Sequence, residues 1–309
     1  MTMELYQLRS FVAIARERNL TRAADLRHLS PSALSCQIKA LEEELGVSLF
    51  ERTARGMRLS EPGRILLSHA QGTLEAAGVL QRTAETLSRG ITASVTIGLN
   101  TDPTFLRVSE INQRLALLRS DLNVIFHTSE TTSTAQSLRN GTIDLGFFYG
   151  PLQAPDIDHA AITQVRICVV IPSNLAAAGP PRDWQELADL PWVWVSDKFP
   201  FYQVMQEKMG GFRMAPGRIV TAANEQIVRE LVIAGQGVGI MREDEARPLA
   251  ASGKALIWDK GWGSVPLNLG WREGNRDKGP VKAVREAIGY IWRKSHEEGD
   301  GSLADKAWA

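Results

Sequence analysis

Apolar residues recur along the first sixty positions with the period of helices. Leu5, Leu8, Phe11, Val12 and Ala15 mark a first amphipathic helix that breaks at Arg18-Asn19. Thr21 then caps a short second helix carrying Ala23, Ala24 and Leu26. Paired alanines let a neighbouring helix come close, as a tight helix-turn-helix crossing requires. A third helix runs from the Ser30 cap, with Pro31 at its first position, to Leu45, and Gly46 is its natural C-cap. Leu34, Ile38, Leu41 and Leu45 form one narrow apolar stripe, while Ser32, Cys36, Lys39 and Glu43 point the other way with Ser35 on the flank. Small hydroxyls and one ammonium suit base edges and phosphates. The acidic run Glu42-Glu43-Glu44 confines any groove contact to the first two turns. An ordinary amphipathic helix carries the same stripe, so this helix alone leaves core packing and groove reading equally open.

Val47, Leu49 and Phe50 lead into Arg52, Arg55, Arg58 and Arg64. Two short strands turning at Arg55-Gly56 make a basic wing beside the third helix. Residues 1–64 hold 10 Lys and Arg against 8 Asp and Glu, and four of those ten lie between Arg52 and Arg64. That edge concentrates positive charge as a phosphate-contacting wing does. Beyond Ser60-Glu61-Pro62, Leu66, Leu67, Ala70, Leu74, Ala77, Leu80, Ala84 and Leu87 predict one long helix ending at Arg89-Gly90. So narrow a stripe supplies no core of its own, and pairing with a second copy is the economical partner. Packing on the chain's own C-terminal part is the alternative.

From Ile91 the rhythm becomes alternating strands and helices. Strands are predicted at Val95–Leu99, Asn123–Thr128, Ile143–Phe148, Val165–Ile171, Trp192–Val195, Arg218–Thr221, Val238–Met241, Ala255–Trp258 and Leu267–Trp271. Helices are predicted at Pro103–Leu118 and Thr131–Asn140. Such alternation argues for parallel-type α/β sheets with ligands at the carboxyl ends of strands. The last segment, residues 297–309, is polar and reads as a flexible tail.

The length of 309 residues suggests two or three domains, and 44% hydrophobic with 23% charged residues is ordinary globular composition. Net charge is zero, so affinity for DNA must come from local patches. Cys36 and Cys168 form no CxxC and imply neither a disulfide framework nor a zinc site. The N-terminus lacks a signal-type apolar core, and the longest apolar runs are strand-sized, so a cytoplasmic protein with no membrane partner is expected. His28, His69, His127, His159 and His296 match no metal-ligand spacing. Neither GxSxG nor GxxxxGK[ST] occurs, and Gly235, Gly237 and Gly239 follow a helix instead of opening one. No enzyme activity, cofactor or metal is expected.

LRSFVAIARERNLTRAADLRHLSPSALSCQIKALEEELGVSLFERTARGMRLSEPG resembles the winged helix-turn-helix of the LysR-type transcriptional regulators. The family's elements stand here as Phe11, Ala23-Ala24, Ser30 and Ser35, Leu41-Glu42-Glu43-Glu44-Leu45-Gly46, Leu49-Phe50 with Arg52, and Leu59-Ser60 with Gly63. One departure is Pro31-Ser32 where the family most often has Gln-Pro, so a side chain often used for base contact is missing at Pro31. The resemblance implies a multidomain α and α/β architecture. It comprises a winged helix-turn-helix (3–60), a linker and dimerisation helix (61–90) and a two-lobed effector domain similar to type 2 periplasmic binding proteins (91–296). Lobe one would be 91–165 plus 267–296, and lobe two 166–266. It further implies double-stranded promoter DNA, a small-molecule effector and RNA polymerase as partners, with self-association to a dimer or tetramer. Thr21, Arg22, Ser30, Pro31, Ser32, Ser35, Cys36 and Lys39 would face DNA, with Arg52, Arg55 and Arg58 on its backbone.

In such a module the effector lies between the lobes, where Asn100, Thr101, Asp102, Ser129, Thr131, Phe148, Tyr149, Ser196, Phe199, Phe201 and Asn224 would meet. Hydroxyls and backbone amides there could hold a small carboxylate, and the aromatic rings could sandwich the body of an aromatic acid. Each residue also has a plainer reading, Thr101 and Thr131 as helix caps and the phenylalanines as core. Asp102 and Glu130 disfavour an anion and keep a cationic or zwitterionic ligand open. Arg242 stands where the family usually has proline, and a salt bridge to Glu243 or Asp244 is the preferred reading over anion binding. Two alternatives remain: a solute-binding module without gene regulation, and a regulator that senses redox state through Cys36.

Overall fold

The computed structural model describes residues 3–53, 56–88, 93–177, 179–195, 198–208, 219–222 and 224–298. It divides into two compact units, Met1–Gly90 with Asn140–Thr142, and the remainder. The first unit opens with α1 (Leu5–Glu17), α2 (Leu20–Leu26) and α3 (Pro31–Leu45). The hairpin β1 (Phe50–Thr53) and β2 (Gly56–Leu59) follows, then α4 (Glu61–Ser88). Phe11, Ile14, Ala23, Ala24, Leu34 and Leu41 are fully buried at the centre. The Phe11 ring meets Phe50 edge-on at 5.5 Å.

The ends of α3 follow the expected chemistry. The Ser30 hydroxyl accepts from the Ala33 amide at 3.2 Å, and Gly46 takes the left-handed conformation at φ 70°. The cap of α2 differs: it is Asn19, whose side chain accepts from Arg22 N at 3.0 Å, and Thr21 lies within the first turn. Starting earlier brings Leu20 against the core, a gain that Thr21 as cap would forgo. The α4 stripe divides in two. Leu66, Leu67, Ala70 and Leu74 pack on the core of this unit, so the helix does have an intramolecular partner over its first half. Leu80, further along, is 73% exposed.

The second unit contains β3 (Ala93–Leu99), α5 (Val108–Leu118), β4 (Leu122–Thr128), α6 (Thr134–Arg139), β5 (Leu145–Tyr149) and β6 (Ile157–Pro172). It continues through α7 (Trp184–Ala188), β7 (Trp192–Trp194), α8 (Pro200–Lys208), β8 (Ile219–Thr221) and α9 (Glu225–Ile233). It closes with β9 (Gly239–Arg242), α10 (Glu243–Ala251), β10 (Ala255–Arg272) and α11 (Gly279–Glu298). A six-stranded sheet has the order β4-β3-β5-β10-β6-β9, and β7 pairs with β8 in a second, small sheet. Among the described residues no helix is long and apolar enough to cross a membrane.

Three expectations are corrected here. The main sheet is mixed: β3 runs parallel to β4 and β5, but β10 runs antiparallel to β5 and β6. The strands predicted at Ala255–Trp258 and Leu267–Trp271 are one continuous strand, and Val165–Ile171 is only the second half of β6. Gly261 and Gly263, which lie between the two predicted strands, are close-approach positions. A Cβ on Gly261 would come within 2.6 Å of Val169, and one on Gly263 within 2.7 Å of Val204. The helix expected from Pro103 begins at Val108, because the preceding turn ends with Arg107 left-handed at φ 57°.

Candidate functional sites

In the first unit, the buried stripe of α3 turns its opposite face to solvent. Ser30, Pro31, Ser32, Cys36 and Lys39 are exposed and Ser35 is half-buried. Thr21 and Arg22 of α2 are exposed as well. Arg22 is oriented by its guanidinium donating to the Glu17 carbonyl at 2.9 Å. Lys39 lies 3.7 Å from Glu43, an exposed pair that is weak in water. On the hairpin, Arg58 is mostly exposed and pairs with Glu51 across the strands at 2.7 Å. The Arg52 side chain and the whole of Arg55 lie outside the described residues, as does Ser196 of the cleft set.

Two devices fix this face to its wing, and sequence reasoning missed one of them. The Glu42 carboxylate accepts from Leu49 N at 2.6 Å and Phe50 N at 3.2 Å, so one acid of the run is a structural clamp. Its spacing ahead of Leu49-Phe50 was the available signal. The Ser60 hydroxyl donates to the Ser48 carbonyl at 2.5 Å and accepts from Gly63 N at 2.9 Å, joining wing to α4.

In the second unit, the carboxyl ends of β3 and β5 meet the start of α9. Asn100 donates to the Thr131 hydroxyl at 3.1 Å, and the Tyr149 amide donates to the same oxygen at 3.4 Å. Tyr149 packs its ring on Phe201 at 4.9 Å, and Phe201 meets Phe199 at 5.0 Å. Neighbouring Phe148 faces away from this group, since alternation along β5 sets it edge-on to His159 at 5.8 Å. Asp102 accepts from Phe105 N and Asn224 from Ile227 N, so both serve local turns and caps. Ser129 is buried at the end of β4.

Arg242 is the centre of this site. Only 2% of its side chain is exposed, and it bridges Glu225 at 3.3 Å, Asp244 at 3.0 Å and Glu245 at 3.0 Å. Its guanidinium also donates to Thr101 Oγ1 at 2.6 Å and lies 4.1 Å from the Phe105 ring centroid. The Asp244 bridge was expected. Glu243 instead pairs with Arg166 and Arg247. Glu225 and Glu245 were missed because they are joined to Arg242 by folding, with no recognisable motif. Thr101 is no helix cap, for its hydroxyl donates to Glu225 Oε2 at 2.9 Å.

Burial pushes Glu225 up to about 7 despite the guanidinium beside it. Glu245 moves in the same direction for the same reason. The folded unit therefore binds these protons more tightly than the unfolded chain. The stability they contribute is present below the ordinary carboxylate range and is lost as pH rises through about 7. The unfolding midpoint of the second unit should fall between pH 5 and 8, and Glu225→Gln should flatten that fall. Parallel pH profiles of the two proteins would mean that Glu225 does not titrate there.

Other candidates carry less chemistry. A cavity of about 510 Å³ is lined by Phe105, Thr163–Arg166 and Trp292 and rimmed by Glu243, Asp244 and Arg247, whose charges are already paired. Among the described residues no cluster of His, Cys, Asp and Glu could hold a metal ion. Both cysteines are free, Cys36 exposed and Cys168 buried, and burial pushes the Cys168 thiol up to about 12. Gly235 to Gly239 form the turn into β9, with Gly235 at φ 73°.

A winged helix-turn-helix head and a ligand-binding α/β module define a DNA-binding regulator that senses a small molecule. Residues 5–64 match the model for bacterial regulatory helix-turn-helix proteins of the lysR family, and residues 88–291 match the LysR substrate binding domain. The chain belongs to the LysR family of transcriptional regulators. It is 33% identical to the HTH-type transcriptional regulator ShiR of Corynebacterium glutamicum, over 93% of this chain and 97% of that protein. Its fold is similar to CbnR, a LysR family transcriptional regulator, at TM-score 0.57 and 21% identity, covering 95% and 99% of the two chains. It is also similar to Vibrio fischeri DarR, solved in complex with DNA, at TM-score 0.54 and 17% identity, covering 94% and 99%.

Proposed function

We propose that the exposed face of α3 and the arginines of the wing bind promoter DNA, and that a small molecule held around Thr101, Tyr149 and Glu225 changes how the heads engage it. The observation that carries the DNA reading is one solvent-facing row on α3, Ser32, Cys36 and Lys39, oriented by an opposite stripe in which Leu34, Ile38 and Leu41 are buried. Thr21, Arg22 and Ser35 flank the row, and Arg52, Arg55 and Arg58 supply phosphate contacts from the wing. Leu80 of α4, 73% exposed, supports self-association of two copies, and a tetramer is the assembly we propose. The working division is head 3–60, linker helix 61–90 and effector module 91–296. The ligand acts by binding one arrangement of the assembly better than another. RNA polymerase is the proposed downstream partner, and the cytoplasm the proposed compartment, since the DNA target lies there. Binding, without catalysis, is the proposed chemistry of the whole chain.

Lys39→Ala and Arg55→Ala should each weaken promoter binding and reduce the salt slope of log K by about one. Titration against promoter DNA at several salt concentrations checks this. Wild-type slopes in both variants would refute the assignment of these cations to DNA.

A further inference from the structure

Among the described residues, the polar atoms without a hydrogen-bond partner around Arg242 include two acceptors and one phenol. Glu225 Oε1 and Asn100 Oδ1 are buried without a hydrogen-bond partner, and the Tyr149 hydroxyl, on a side chain 1% exposed, forms no hydrogen bond of normal geometry. The residues that carry these atoms are neighbours. The Thr131 hydroxyl accepts from the Asn100 side-chain amide and from the Tyr149 backbone N–H, and Thr101, next to Asn100 in the chain, bonds Glu225 and Arg242. An amide oxygen accepts only, and Glu225 Oε1 accepts only once its carboxyl is ionised, so above about pH 7 what satisfies both must donate.

The guanidinium bridging these acids is already largely committed. Arg242 Nε donates to Asp244 Oδ1, Nη1 to Thr101 and Glu225, and Nη2 to Asp244 Oδ2, while Nη2 also forms an ion pair with Glu245 at 3.0 Å. Four of its five N–H donors are in hydrogen bonds, which leaves little for an anion. Three carboxylates also outweigh the single cation. Asp102 and Arg229 act on Glu245 from outside this group, and they oppose each other in charge.

We propose that the ligand of this cleft is a donor-bearing molecule, an amine or a polyhydroxyl compound, that delivers N–H or O–H groups to Glu225 Oε1 and Asn100 Oδ1. This rests on the reading that the cleft takes a ligand, and it departs from the carboxylate expected of the hydroxyl set. Amine and hydroxyl sources differ in their response to pH. A cationic amine binds more tightly as Glu225 ionises, so its affinity rises from pH 6 to 8, whereas a neutral polyol shows no such rise.

The test is calorimetric titration of the full chain at pH 6, 7 and 8. Ethanolamine, putrescine and L-arginine form one arm, myo-inositol and glycerol a second, and benzoate and succinate a third. The expected result is saturable binding in the first or second arm, weakened at least tenfold by Glu225→Gln. Asn100→Ala repeats the test without touching the Arg242 ion pairs and should weaken the same ligand. Binding by benzoate or succinate alone overturns the donor assignment and leaves the cleft reading standing. Unchanged affinity in both variants overturns the donor assignment too. Silence from all three arms overturns both readings, while promoter binding, measured separately, tests the head.

Discussion

Replacing Arg242 by methionine is expected to lower the stability of the second unit by about 3–5 kcal/mol, the usual cost of stripping one partner from a buried ionic cluster. The side chain is 2% exposed and bridges three carboxylates, of which Glu225 and Glu245 are themselves largely buried. Methionine fills a similar volume, so the loss comes from charge rather than from a cavity. It leaves two acids without their cation in a place where burial already favours their neutral forms. Protonation relieves that burden, so the penalty should shrink as the pH is lowered towards 5. Tryptophan fluorescence during urea unfolding reads this unit alone, since all eight tryptophans lie at Trp184 or beyond. A pH-independent loss would mean that Arg242 acts through packing on Phe105.

The second large effect is expected at Gly63. A Cβ there would lie inside the contact distance of the Leu49 carbonyl oxygen and 3.0 Å from its carbon. Backbone atoms cannot yield as a side-chain tip does, so Gly63→Ala should cost about 3 kcal/mol, at the upper end for overpacking. It should also part the wing from α4, because Gly63 N is the donor held by the Ser60 hydroxyl. Gly46→Ala is the comparison: its φ of 70° is strained for alanine, yet nothing lies within 4 Å. About 1 kcal/mol is expected there. Thermal unfolding of the head followed by circular dichroism separates the two. Equal losses would show that backbone strain, not the clash with Leu49, sets the cost at Gly63.

The head was legible because its instructions are local. Ser30, Pro31, the leucine stripe and Gly46 lie within one helix length, and each acts on neighbours three or four positions away. The cap of α2 was misread because Asn19 and Thr21 are both good caps, and only the packing of Leu20 separates them. The second unit was legible in kind and not in continuity. Gly261, Gly263 and Pro266 interrupt the pattern of a strand, while the close passage of Val169 and Val204 that requires small residues is a tertiary fact. The cluster at Arg242 was the least legible. Its partners lie at Thr101, Glu225 and Glu245, and no spacing rule links a hydroxyl to a guanidinium 141 positions away. Thr101 and Tyr149 were nevertheless selected, because strand ends in such sheets are where side chains converge.

The Ser60 joint has a mechanical consequence. With the wing tied to α4 through one hydroxyl, and the first half of α4 packed on the head core, the head and its helix turn as a rigid crank. At 28 residues the arm is about 42 Å long. A rotation of roughly 5° about its far end displaces the wing by about 4 Å, on the scale of one base-pair step. Under the proposed DNA reading, small angular changes far along α4 are geared up into a change of position on DNA.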